Sequence, residues 1–111
     1  MPHLLFRGIA AQQLRPLAQQ LAEQLADICE CGTDNFTMDC LHTTAVYGGA
    51  GDQSFPFVEV AWFERGDEVR GQVAAAVTQQ LSSLGLTDIE VAFRTYREDS
   101  YYIDGVPCSA L

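Results

Sequence analysis

Pro2-His3-Leu4-Leu5-Phe6-Arg7-Gly8, at the start of the chain, sets the first element and the pattern that the rest of the chain extends. Leu4-Leu5-Phe6 is a short apolar run closed by Arg7-Gly8, which reads as an opening β-strand. Next to it, Leu14, Leu17, Leu21, Leu25 and Ile28 recur with the helical period, with Ala18 and Ala22 beside them. This predicts an amphipathic helix from about Gln12 to Ile28, with Pro16 close to the first turn, where a missing N–H costs least. Cys31-Gly32-Thr33-Asp34-Asn35 is turn chemistry that ends the helix, and Phe36 to Tyr47, rich in β-branched and aromatic residues, predicts a long strand.

The second half repeats the order. Gly48-Gly49-Ala50-Gly51-Asp52 reads as a flexible loop, and Phe57-Val58-Glu59-Val60-Ala61-Trp62-Phe63 as a strand. Asp67 and Glu68 suit a helix N-terminus, Val69, Val73, Val77, Leu81 and Leu84 form its apolar stripe, and Gly85 is placed to end it. Ile89-Glu90-Val91-Ala92-Phe93 alternates as a half-buried strand, and Ser100 to Gly105 reads as a short hairpin with an Asp-Gly turn. Short matches link the halves, about 2–47 and 56–103: Phe6-Arg7-Gly8 with Glu64-Arg65-Gly66, and Gln19-Gln20-Leu21 with Gln79-Gln80-Leu81. The expectation is one α+β domain of two layers over residues 1–111, with duplicated β-α-β units. Right-handed crossovers would lay both helices on one face of a four-stranded mixed sheet. The other face, expected to carry Phe57, Val58 and Val60, then needs solvent or another subunit.

Composition restricts the partners. Fifteen acids against six arginines, with no lysine, give a net charge of −9, the wrong sign for nucleic acid or an anionic membrane surface. No apolar run has the length of a membrane span, and the start lacks the pattern of a signal peptide, so a cytoplasmic location is expected. A small anionic ligand would have to be gripped by arginine. Cys29, Cys31, Cys40 and Cys108 lack the paired spacing of a zinc site, and His3 and His42 lack metal-ligand spacing, so the cysteines read as reduced thiols and no metal is expected.

Pro2 carries the chemistry in this reading. Removal of Met1 leaves a secondary amine at the start of a strand, and such an amine is a base or nucleophile without any side chain. If Met1 stays, the Pro2 nitrogen is an amide and has no basic lone pair.

Pro2-His3-Leu4-Leu5-Phe6-Arg7-Gly8, Asp34-Asn35-Phe36 and Trp62-Phe63-Glu64-Arg65-Gly66, set in the doubled β-α-β pattern with a C-terminal hairpin, resemble the tautomerase superfamily. That group includes macrophage migration inhibitory factor (MIF), and the likeness runs most strongly to an uncharacterised bacterial family within it. The resemblance implies a homotrimer with sites at subunit interfaces, no cofactor, and the Pro2 amine as general base on a small keto or enol carboxylate. It implies that Arg65 grips the carboxylate, with Arg7 or Arg70 beside it, and that Asp34 stands where decarboxylating or hydrating members place a water-activating acid. Tyr101 falls in a hairpin that approaches a neighbouring site in this group. The arginine usual just after the first strand is missing, since Ile9 follows Gly8.

Each residue also has a plainer reading. Arg65 could answer Glu64, Asp67 and Glu68; Arg70 fits a solvated helix face; Asp34 fits a turn; Tyr101, Tyr102 and Trp62 fit packing; and His3 and His42 fit ordinary strand positions. A non-catalytic ligand-binding module of ferredoxin-like type stands as the rival to an isomerase.

Overall fold

The computed structural model describes residues 2–48 and 55–111; Met1 and most of the glycine-rich loop, from Gly49 on, lie outside them. The chain runs β1 (His3–Arg7), α1 (Ala11–Cys29), β2 (Thr37–Cys40), β3 (Phe57–Trp62), α2 (Asp67–Ser82) and β4 (Glu90–Thr95), and closes with β5 (Tyr102–Ile103) and β6 (Val106–Pro107). The main sheet has the order β2-β1-β3-β4. β1 pairs with β2 and β3 with β4 in parallel, and the two units join antiparallel through β1 and β3. Each strand-helix-strand unit therefore pairs its own two strands directly. A ferredoxin-like split unit would leave a gap between them, so that alternative topology is not adopted.

The two leucine and valine stripes turn inward as the periodicity requires. Leu14, Leu17, Leu21 and Leu25 of α1 and Val73, Val77 and Leu81 of α2 are buried over Leu4, Phe6, Val58, Val60 and Trp62 of the sheet. Each fully buried large side chain contributes about 1.5–3 kcal/mol of transfer free energy. Val58 and Val60 are thus core residues under the helices and not part of the uncovered face. Strand side chains alternate, so Phe57 and Val58 cannot share a side. From β3 the open face receives Phe57 and Glu59, and Glu59 accepts from Arg94 Nε at 3.1 Å.

Helix ends follow local chemistry with two adjustments. Pro16 lies inside α1, beyond its first turn. Its position is exposed, so the Gln12 carbonyl that loses its donor faces water. α2 stops at Ser82, before Gly85. The predicted long second strand shortens to Thr37–Cys40. Among the described residues β2 is an edge strand paired with β1 alone; Leu41 N–H donates to the Phe6 carbonyl at 2.7 Å, and β1 ends one residue later, at Arg7. Val46 and Tyr47 beyond it are 97% and 85% exposed. The hairpin forms where expected: Asp104 and Gly105 both have positive φ, 50° and 81°, as a tight two-residue turn between twisted strands demands.

Candidate active site

One end of the sheet gathers the chemistry. β1 and β2 begin there, β3 and β4 finish there, and the connections out of α1 and into α2 pass over it. Pro2 is fully buried at this end, and its carbonyl accepts from Thr37 N–H at 3.2 Å. One step beyond the His3–Ala61 pair, the antiparallel register sets Pro2 across from Trp62, so both side chains point to the helix side. Trp62 is 1% exposed and tilts against Phe93, with ring centroids 5.0 Å apart.

Arg65 reaches this end from the β3–α2 connection. Its guanidinium lies over the Trp62 ring, 5.9 Å from the centroid, and Nη1 donates a long 3.4 Å bond to the Cys29 carbonyl at the end of α1. Burial raises the Cys29 thiol above its ordinary pKa; the Arg65 charge pulls it down and Cys31 pushes it up, so the thiol stays neutral beside the guanidinium. Arg65 has no acid partner among the described residues, although Glu64 adjoins it. The reason is local. Glu64 Oε1 accepts from the backbone N–H groups of Arg65 and Gly66 at 3.1 and 3.2 Å, and Oε2 takes Arg70 Nη1 at 2.7 Å. Glu64 therefore caps the entry to α2, where Gly66 at φ 93° has a conformation that residues with a Cβ rarely adopt.

The other sequence candidates divide. Arg70 is bound to Glu64 and Asp67, and both contacts are at the surface. Arg7 sits at the opposite end of β1, with its guanidinium 4.5 Å from the Phe57 ring centre, so one chain does not bring it to Pro2. Asp34 lies in the short turn Thr33–Asn35 before β2, at the same end as Pro2, and is exposed. It lines a shallow groove with Ala18, Ala22 and Phe36. Tyr101 bonds His3, whose Nε2 is 2.6 Å from the phenol oxygen while Nδ1 is 2.7 Å from Thr37 Oγ1; His3 alternates with Pro2, so this contact lies at the same end of the sheet but on the face away from the helices. Burial, with smaller pushes from Cys108 and Tyr96, raises the Tyr101 phenol above its ordinary pKa and keeps it protonated. His3 thereby ties the C-terminal segment to the residue after Pro2, a link from the last tenth of the chain to its start that no spacing along the sequence expresses.

Among the described residues, two buried side-chain nitrogens have no hydrogen-bond partner, Trp62 Nε1 and Arg65 Nε. An orphaned buried donor costs about 1–3 kcal/mol. The sequence marked Trp62 through the Trp62-Phe63-Glu64-Arg65-Gly66 motif, but its plainest duty there was packing. No cluster of three or more His, Cys, Asp or Glu side chains among the described residues could hold a metal ion. No helix among them is long and apolar enough to cross a membrane.

Comparison with known proteins agrees with this architecture. No protein of curated function matches the chain. The family model described as a domain of unknown function, DUF1904, matches residues 1–107. A DUF1904 domain from Sebaldella termitidis superimposes with a TM-score of 0.86 at 36% identity, over 96% of this chain and 99% of that one. A fused 4-OT that forms an asymmetric trimer superimposes at 0.82 with 15% identity, over 97% of each chain. A macrophage migration inhibitory factor-like protein from Entamoeba histolytica does so at 0.75 with 12% identity, over 96% of this chain and 97% of that one. At such identities the last two establish the fold alone. The chain belongs to the DUF1904 family and has the tautomerase/MIF fold.

Proposed function

We propose that the protein is a tautomerase in which the Pro2 amine, freed by removal of Met1, moves a proton on a small keto or enol carboxylate held by Arg65. The observation that carries this reading is a half-buried arginine with no acid partner among the described residues, lying over Trp62, which the register sets across from a fully buried Pro2. In a chain of net charge −9, three of the six arginines (Arg70, Arg94 and Arg97) pair with acids among the described residues, so a guanidinium without an acid among them at the Pro2 end is a built attraction for an anion. Burial and the neighbouring guanidinium both disfavour the ammonium form of a free Pro2 amine, which favours its action as a base near neutral pH. Proton removal beside a carbonyl places negative charge on oxygen, and Arg65 would stabilise that charge as it develops. No cofactor is needed for such a transfer.

Assembly belongs to the same proposal. The sheet face away from the helices carries Leu5 and Phe57 among polar residues, and a homotrimer would cover it. The trimeric fused 4-OT of the same fold supports this.

The decisive experiment inserts one alanine before Pro2, which turns its nitrogen into an amide. The insertion abolishes tautomerisation of phenylpyruvate enol while light scattering still reports a trimer, whereas Pro2→Ala, with a primary amine in place, keeps weak activity. An insertion variant as active as the parent refutes the amine as the base.

A further inference from the structure

Far from Pro2, the seam between α1 and the edge strand β2 does not close. A cavity of about 280 Å³ remains there, at the lower end of the roughly 300–1,000 Å³ of small-molecule sites. Its floor is Phe6 of β1, Leu14 and Leu17 of α1, and Met38 and Cys40 of β2. The gap has a cause in the sequence. Ala11, Arg15, Ala18 and Ala22 recur at helical spacing along the flank of α1 beside β2, and the alanines are too short to fill the seam. Cys40 Sγ–H donates to the Ile9 carbonyl at 3.0 Å, so its one donor is used and the floor behaves as apolar. Phe6, which pairs with Cys40, lies four residues along β1 from Pro2, about 13 Å at roughly 3.3 Å per residue. Pro2, Trp62 and Arg65 take no part in the lining.

The rim is cationic. Arg15 and His42, both exposed, stand at the mouth. Arg15 has no acid partner among the described residues, whereas Arg70, Arg94 and Arg97 are paired. Asp39 is the one acid on the lining. It pairs with Leu5 and alternates with Met38 and Cys40, so its side chain turns to the other face of the sheet and the strand backbone borders the cavity. The first turn of α1, at Ala11, carries no acid either. We propose that this cavity is a second binding site, for a small alkyl carboxylate. Its tail lies over Phe6, Leu17 and Met38, its carboxylate takes the Arg15 guanidinium, and a His42 ring N–H is the further donor. An ammonium head would be repelled by Arg15, and a neutral one would leave its charge unused. Such a ligand needs no keto or enol group, so the site is independent of any proton transfer at Pro2.

Met38 is the only methionine besides Met1, so a carbon-13 label on its methyl group reports the cavity; the indole N–H of Trp62, the sole tryptophan, reports the Pro2 end. The full-length protein is titrated with butanoate, hexanoate, hexan-1-ol and hexylamine up to about 10 mM, which covers weak ligands of this size. Hexanoate should move the Met38 methyl to saturation and leave the Trp62 indole in place. It should bind about 3- to 15-fold tighter than butanoate, since each fully buried methylene is worth up to about fourfold. Hexanol and hexylamine should bind at least about tenfold more weakly than hexanoate, the loss of one charge-assisted contact. Arg15→Gln, at an exposed helix position where the fold is not at stake, should weaken hexanoate about tenfold, to the level of hexanol. Ala18→Leu fills the seam and should abolish binding, with a circular dichroism melt showing that the variant is folded. A Met38 methyl unmoved by hexanoate, hexylamine binding as well as hexanoate, or Arg15→Gln binding like the parent overturns the proposal. So does a shift of Trp62 without one of Met38, which puts the carboxylate at the Pro2 end. Should Ala18→Leu fail to fold, Arg15→Gln and the head-group series decide alone.

Discussion

Glu64→Ala is the substitution that most directly links the stability of α2 to the placement of Arg65. Glu64 supplies three acceptor contacts: two to the backbone N–H groups of Arg65 and Gly66, and one to Arg70. Losing the cap costs about 0.5–2 kcal/mol, as for other helix-entry acceptors. The ion pair adds less. Its two side chains are 35% and 44% exposed, and such surface pairs are worth about 0.2–1 kcal/mol. The sum, about 1–3 kcal/mol, lowers the melting temperature of a domain of this size by roughly 4–15 °C. Glu64→Gln separates the two contributions, because an amide oxygen still accepts from the backbone but no longer neutralises Arg70. Its deficit should be about 0.2–1 kcal/mol and should vanish in about 1 M salt, where charges are screened beyond about 3 Å. Circular dichroism melts at low and high salt measure both, and kcat/KM on a 2-oxo acid should fall several-fold in Glu64→Ala as the Arg65 backbone loosens. An alanine variant that melts within about 1 °C of the parent would show that the connection holds itself, and the capping argument would be wrong.

The two neighbouring arginines, Arg65 expected to grip the carboxylate and Arg70 to stand beside it, should separate in the assay. Arg65→Ala lowers kcat/KM about 10- to 100-fold, the loss of one charge-assisted contact, whereas Arg70→Ala leaves it within about twofold; equal effects would return Arg65 to the surface. Leu21→Ala, at a side chain with no exposed surface between the helices and the sheet, should cost about 2–5 kcal/mol in urea unfolding, and a cost below about 1 kcal/mol would mean the core is not packed around it. Cys29 gives a pH dependence of known sign. Burial raises its thiol pKa in the folded protein against the pull of Arg65, so the unfolded chain releases this proton first. Stability should therefore fall as pH rises through the ordinary thiol range, roughly pH 8 to 10, with a shallower slope in Cys29→Ala; an unchanged slope refutes the buried-thiol assignment.

The sequence by itself determined what short-range periodicity can encode. The leucines of α1 and the valines of α2 repeat at the helical period, and both helices form where those stripes place them. Asp104-Gly105 holds its turn because the positive φ values it needs are a property of two residues. The family resemblance was likewise legible, in motifs that surround Pro2, Asp34 and Arg65. Partners distant in the chain decided the rest. β2 ends at Cys40 because β1, the strand it pairs with among the described residues, ends, although the residues beyond it suit a strand. Val58 and Val60 go under the helices because strand alternation allows only one of two neighbours on each side, and the side was set by what packed above. Arg65 and Arg70 lie five residues apart and both were candidates for the carboxylate, yet Glu64 captures the second and leaves the first over Trp62. Spacing cannot express that choice. It depends on which carboxylate oxygen remains unoccupied once the backbone of a tight helix entry has taken the other.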